Sequence, residues 1–234
     1  MFEDAFAFNR PIGNWDVSNV KDMYGMFDWA FAFNQPIGAW DVSGVTRLEE
    51  MFQGARSFNQ SLNDWDISNV GDMSWMFEAA VSFNQPLNAW NLASVTMMDG
   101  MFKNATSFNQ PLNAWSFPSV TSMHSMFRLA KSFDQDLDWC VDADIKLAIN
   151  NQPDHVSSLF YKTPCAATSC GVVEKDANGT CPAPTALPTS LPTAQPSSTP
   201  TAPSPRPTPG PSVSPSLRPT PAPSVRPRPP PQVT

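Results

Sequence analysis

A Met-Phe pair recurs every 25 residues, at Met1-Phe2, Met26-Phe27, Met51-Phe52, Met76-Phe77, Met101-Phe102 and Met126-Phe127. Trp15, Trp40, Trp65, Trp90 and Trp115 keep the same interval, as do Phe8, Phe33, Phe58, Phe83, Phe108 and Phe133, and the alanines from Ala5 to Ala130. A fixed period of this length constrains the fold more than any local propensity. One unit is too small to bury its own apolar face, whereas stacked units share a continuous core. Five units fill residues 8–132 without an insertion. The recurrent Trp, Phe and Met positions are therefore core ladders rather than a cofactor site.

Each unit divides into two apolar patterns. Val20, Met23, Phe27 and Ala30 follow the three- and four-residue spacing of a helix. Asn19, Gly44, Asn69, Ser94 and Ser119 stand before that segment as N-cap types, and Pro11, Pro36, Pro86 and Pro111 follow it. Earlier in the unit, Trp15 and Val17 alternate with Asp16 and Ser18, which is strand periodicity. The expected fold is an α/β solenoid, leucine-rich-repeat-like, with one short parallel strand and one helix per 25-residue coil and a disordered C-terminal tail. Equivalent residues on adjacent coils would then lie about 4.8 Å apart.

The segment Leu62-x-x-Trp65-x-Ile67-x-x-Val70 resembles the strand pattern of leucine-rich repeats. The longer string Phe-Asn-Gln-Pro-Leu-Asn-x-Trp-Asp-Val-Ser-Asn-Val-x-x-Met-x-x-Met-Phe is similar to the repeat of BspA-like leucine-rich-repeat surface proteins, which include the mycoplasma-lipoprotein repeat of unknown function. The resemblance covers residues 1–138. It implies a curved solenoid displayed at a cell surface for adhesion or protein binding, and it supplies no catalytic residues. In place of the usual asparagine ending the strand pattern stands valine. Asn9, Asn34, Asn59, Asn84 and Asn109 are expected to form a ladder elsewhere, each satisfying a neighbouring coil's backbone.

Charge and proline divide the chain further. Residues 1–181 hold all 21 acidic residues, all aromatics and all four cysteines. Residues 182–234 hold 19 of the 26 prolines, 16 Ser or Thr, and Arg206, Arg218, Arg226 and Arg228. With 10 basic residues the body carries 10 − 21 = −11 and the tail +4, which gives the overall −7. So acidic a body is a poor partner for nucleic acid. No apolar run reaches the ~20 residues that span a bilayer. The organisation expected is a solenoid at 1–138, a disulfide-bearing cap at 139–181 and a Pro/Ser/Thr-rich, O-glycosylated stalk at 182–234. Met1-Phe2 already stands in repeat register, so a fragment is expected, with further units and a signal peptide upstream.

At the other end the frame loosens. Asp134, Asp136 and Asp138 enter ladder positions, Trp139 falls one place early, and Cys140 takes the tryptophan slot. These charges suggest a terminal coil facing water. An EF-hand at the three aspartates lacks its glycine and its bidentate glutamate. Cys140, Cys165, Cys170 and Cys181 lack zinc-site spacing and are expected to form two disulfides in an oxidising compartment. Cys140 and Cys165 are one coil apart, and Asn178-Gly179 is a hairpin signal between Cys170 and Cys181. Cys140–Cys165 and Cys170–Cys181 are therefore the expected pairs. Asn104 and Asn178 head glycosylation sequons.

Nothing in the sequence points to catalysis, a cofactor or a bound metal. His124 occupies a slot also held by Tyr24, Glu49, Ser74 and Asp99, and is read as an exposed variable residue. One repeated polar feature stands out. Asp16, Asp41, Asp66, Asn91 and Ser116 are expected to point outward from successive strands, as a solvated surface or as a docking stripe for a basic or cation-bridged partner. The function expected is secreted or cell-surface adhesion, or binding of a protein or glycan. The alternative is a structural wall component carried by its glycosylated stalk; a hydrolase using repeated carboxylates is a distant third.

Overall fold

The structure, a computed structural model, describes residues 1–141, 159–164, 169–176 and 178–181. Cys165 and the expected stalk at 182–234 lie outside them. Within residues 1–141 the backbone pairs from one 25-residue unit to the next. The N–H groups of Met23, Gly25, Phe27 and Trp29 donate to the carbonyls of Arg47, Glu49, Met51 and Gln53 at 2.7–3.1 Å. Leu48, Glu50, Phe52 and Gly54 donate likewise to Asp72, Ser74, Met76 and Glu78. Parallel pairs run in register from Asp22 to Arg47, Asp72, Met97 and Ser122.

The segment expected to be helical is instead a succession of turns. The N–H groups of Met26, Asp28 and Ala30 close onto Met23, Gly25 and Phe27, and that of Tyr24 bonds to Asp22 Oδ1. Every backbone donor from 23 to 30 is thus satisfied, half of them by the next coil and none in the i→i−4 manner of an α-helix. Two slots per coil are left-handed. One holds Gly25, Glu50, Trp75, Gly100 and Ser125; the other holds Asp4, Trp29, Gly54, Ala79, Asn104 and Leu129, with φ between 53° and 64°. A non-glycine residue costs about 1–2 kcal/mol there, which the inter-coil bonds offset. Turns closing every four residues return a side chain to the same face, so their apolar spacing imitates that of a helix.

The segment expected to be a strand also folds into turns, with Trp15 N–H bonded to the Ile12 carbonyl and Val20 N–H to that of Val17. The two roles are exchanged: the apparent helix carries the coil-to-coil ladder and the apparent strand does not. The expected N-caps act differently as well. Asn69 Nδ2, Ser94 Oγ and Ser119 Oγ donate to the carbonyls of Ser43, Ser68 and Ala93 on the preceding coil.

The core consists of aromatic columns. Phe27, Phe52, Phe77, Phe102 and Phe127 stack with centroids 5.6–5.7 Å apart. A second column, Phe33 to Phe133, runs alongside at 3.9–4.1 Å. Helices pack 8–10 Å apart, so rings at this spacing leave no room for one helix per coil. Trp40, Trp65, Trp90 and Trp115 Nε1 each donate to a carbonyl of the preceding coil, of Ile12, Ile37, Leu62 and Leu87. The asparagine ladder forms as expected: Asn9, Asn34, Asn59 and Asn84 Oδ1 accept the backbone N–H of the next asparagine at 2.9–3.0 Å. Each also accepts a glutamine amide, from Gln35, Gln60, Gln85 and Gln110.

The stack does not end at Phe133. Leu159 and Phe160 fill the next Met-Phe slot, with Phe160 5.6 Å from Phe127 and Phe127 N–H bonded to the Leu159 carbonyl. The interval from 127 to 160 is 33 rather than 25, and such an eight-residue offset hides the coil from any search at fixed period. Strand β1 (Cys140–Val141) pairs in parallel with β2 (Val173–Glu174) at the same offset, Cys140 opposite Val173. Trp139 keeps the tryptophan role despite its shift, donating to the Leu112 carbonyl and stacking on Trp115 at 6.2 Å. The expected Cys140–Cys165 and Cys170–Cys181 pairs are replaced by Cys140–Cys181, with Cα atoms 5.8 Å apart. Cys170 is also disulfide-bonded. The Asn178-Gly179 turn forms, with Gly179 N–H on the Asp176 carbonyl. Because β2 lies beside β1, that turn returns Cys181 to Cys140.

Two measurements check this architecture. Phe77→Ala should cost about 3–5 kcal/mol in denaturant unfolding, and Phe77→Leu clearly less, because Phe77 is fully buried between Phe52 and Phe102. Non-reducing peptide mapping should join Cys140 to Cys181. Cys181→Ser should cost about 4 kcal/mol, from release of a segment of 41 residues.

Candidate binding surface

The five residues expected to form a polar stripe, Asp16, Asp41, Asp66, Asn91 and Ser116, are all exposed, but they sit in turns rather than on strands. Asp16 Oδ1 accepts the backbone N–H of Ser18 at 3.1 Å and its hydroxyl at 2.6 Å. Asp41 does the same with Ser43. Asp66 accepts from Ser68 N–H, and Asn91 from Ala93 N–H. Bonds from the serines, side chain first and backbone second, hold the three carboxylates below their ordinary range. Asp16 and Asp66 push Asp41 the other way, more weakly. Much of the stripe's hydrogen-bonding capacity is thus spent on its own coil.

A second surface, not singled out by the sequence pattern, lies on the turn segment. Its outward slots change from coil to coil. One reads Glu3, Asp28, Gln53, Glu78, Lys103 and Arg128; another Tyr24, Glu49, Ser74, Asp99 and His124; a third Phe6, Phe31, Arg56, Val81, Thr106 and Lys131. Neighbouring coils pair some of these groups. Arg47 bridges Asp22 and Glu49 at 3.3 and 3.0 Å, and Lys103 meets Glu78 at 2.6 Å. Arg47 lies over Tyr24 and Arg56 over Phe31, at 4.3 and 4.2 Å from the ring centroids. Left-handed glycines make room for tryptophan here. A Cβ on Gly100 would stand 2.5 Å from the Trp75 ring, and one on Gly54 2.9 Å from Trp29.

Among the described residues three side chains of this surface, His124, Arg128 and Asp28, hold a buried polar atom without a partner, and of these only Asp28 is acidic. It is only 9% exposed, and its Oδ1 is buried without a donor. Burial first, then the charges of Glu50, Glu3 and Asp4, raise its carboxyl to about 7. The signal in the sequence was a cluster of acids at neighbouring positions of successive units, visible only once the slots are aligned on the turn segment.

At the far end the stripe runs into a cavity of about 350 Å³ lined by Ser116, Phe117, Asp138, Trp139, Cys140 and Lys175 among others. Because Trp139 fills the tryptophan slot, Cys140 follows Ser116 along the stripe, and the disulfide closes it. The three aspartates considered for calcium separate: Asp134 N–H bonds to Asn109 Oδ1, Asp136 packs against Gly171, and Asp138 lines the cavity. His124, expected to be exposed, is half-buried; its backbone N–H donates to Asp99 Oδ1, which also accepts from Ser122 Oγ. Asn104 and Asn178 are exposed.

A family model described as Mycoplasma protein of unknown function, DUF285, matches residues 1–80 and 36–140. The chain belongs to the DUF285 family. The DUF285 matches stop at Cys140, where the 25-residue frame ends. No curated protein and no solved structure matches the chain. No helix among the described residues is long and apolar enough to cross a membrane.

Replacing Asp16, Asp41 and Asp66 together by Asn should preserve the fold, because Asn91 already closes the same turn. A carboxylate held below its ordinary pKa stabilises the fold above about pH 4 and loses that contribution as pH falls through the lowered value. Acid unfolding followed by circular dichroism should therefore be shallower in the triple variant, with melting at neutral pH unchanged or slightly lowered, because an amide oxygen replaces a charged acceptor in the same turn.

Proposed function

We propose that this DUF285 chain is a non-catalytic binding module, a repeat solenoid similar to BspA-like surface proteins, that engages a protein or glycan outside the cell. What carries the reading is the contrast between slots. Inward positions repeat the same Phe, Trp and Met in successive coils, whereas outward slots of the turn segment hold Tyr, Trp, Phe, Arg and carboxylates in a different order each time. Aromatic residues and arginine dominate the energetics of protein interfaces, and a rigid stack presents them without a large ordering cost. The Cys140–Cys181 disulfide favours an oxidising compartment, and the exposed sequons fit the same setting.

The composition of residues 182–234 keeps a second reading, a wall or matrix component retained through its Pro/Ser/Thr-rich segment. Binding of the purified chain to intact cells and to extracellular matrix, with and without residues 182–234, separates the two. The expected result is binding that survives loss of the segment and weakens with salt. Retention by the segment alone, with no binding by residues 1–181, would support the second reading and remove the first.

A further inference from the structure

We infer that the turn face of the first two coils is a docking site for a cationic side chain, lysine or arginine, presented by a protein partner and centred on Asp28. This rests on the binding-module reading and names its partner chemistry. Buried carboxylates are normally paired, because an ionised group out of water without a partner is unfavourable. Asp28 is 9% exposed and its Oδ1 meets no donor. Glu3, Asp4 and Glu50 surround it with charge of the same sign. Among the described residues no ion pair reaches any of these four, whereas Asp22 and Glu49 share Arg47 and Glu78 holds Lys103. These four carboxyl groups therefore form a patch with no cation paired to it among the described residues.

The aromatic residues beside it define the kind of cation. Trp29 follows Asp28 in the chain and meets Phe31 edge-on at 5.8 Å; Phe6, 53% exposed, stacks on Phe31 at 4.9 Å. The chain itself places guanidinium groups on rings of this face, Arg56 over Phe31 and Arg47 over Tyr24. A lysine or arginine arriving from a partner would lay its apolar stem along Phe6 and Trp29 and bring its charge to Asp28 and Glu50. A divalent ion suits the patch less, since no three potential ligands converge among the described residues and rings offer a hard cation no oxygen. A neutral glycan would leave the repulsion unrelieved.

Deprotonation should be linked to docking. Glu50, Glu3 and Asp4 face Asp28 from the adjacent coils, and with burial they raise its carboxyl to about 7. Glu50 also raises the Tyr24 hydroxyl above its ordinary range, and Arg47 is engaged by Asp22 and Glu49. A cation binds the ionised form, so affinity should rise as pH passes upward through about 7 and fall below it, where the proton competes.

The probe is a short arginine-rich peptide, compared with its citrulline counterpart and titrated calorimetrically against the full chain at about pH 8 and about pH 5.5. The expected result is binding of the arginine peptide alone, weaker at the lower pH. Asp28→Asn should weaken it about tenfold and remove the pH dependence, and Glu50→Gln should weaken it as a second variant whose folding does not depend on position 28. The stripe variant Asp16→Asn/Asp41→Asn/Asp66→Asn removes more charge and should change binding little. Equal binding of the citrulline peptide, an equal loss in the stripe variant, or unchanged binding in both Asp28→Asn and Glu50→Gln overturns the inference. So does absence of peptide binding. If the same protein preparation still binds cells or matrix, the module reading stands without this site.

Discussion

Hydrogen bonds from one coil to the next are the constraint on which the rest of the molecule depends. Met23, Gly25, Phe27 and Trp29 each donate to a residue 24 positions ahead, which fixes adjacent coils at the separation of paired β backbone. That separation brings equivalent phenylalanines to 5.6–5.7 Å and makes continuous aromatic columns out of isolated rings. It also requires left-handed residues at two slots per coil, so that alternate N–H groups turn outward to the neighbour while the others close turns. The strain is distributed along the stack and offset at each step by the same bonds.

A backbone so committed divides the side chains into two populations. Inward residues must fit a column whose neighbours are identical, so a change in one coil is felt by the coils on either side. Outward residues meet a few neighbours on their own and adjacent coils, and their identities are free to differ. The stripe falls between these cases. It points to solvent, yet Asp16, Asp41 and Asp66 close turns through Ser18, Ser43 and Ser68, and Asn91 and Ser116 in the same slot need carry no charge. The turn segment is where charge and aromatic character vary, and there Asp28 keeps one carboxyl oxygen, Oδ1, buried without a donor.

The end of the regular frame follows the same physics with a longer connection. Trp139 shifts by one residue and still reaches the Leu112 carbonyl, because the hydrogen bond and the stack on Trp115 fix where the ring must lie. Phe160 resumes the phenylalanine column after an offset of eight residues. The column requires a ring at that place in space and not at that place in sequence. Cys140 is thereby set beside β2, and the turn at Asn178-Gly179 delivers Cys181 to it.

The 25-residue period, the identity of the core columns and the asparagine ladder were legible in the sequence, because translational stacking brings the same residue type to the same environment in each coil. The direction of the hydrogen bonds was not. Apolar spacing at Val20, Met23, Phe27 and Ala30 serves an α-helix bonded to itself and a run of turns bonded to the next coil equally well. The choice between them is made by the neighbouring coil, which no single unit contains. The same reason put Cys181 opposite Cys140 and left Asp28 Oδ1 without a donor. Partner identity across coils is set by offsets of 24, 25 and 33 residues, and only stacking in three dimensions decides which of these applies.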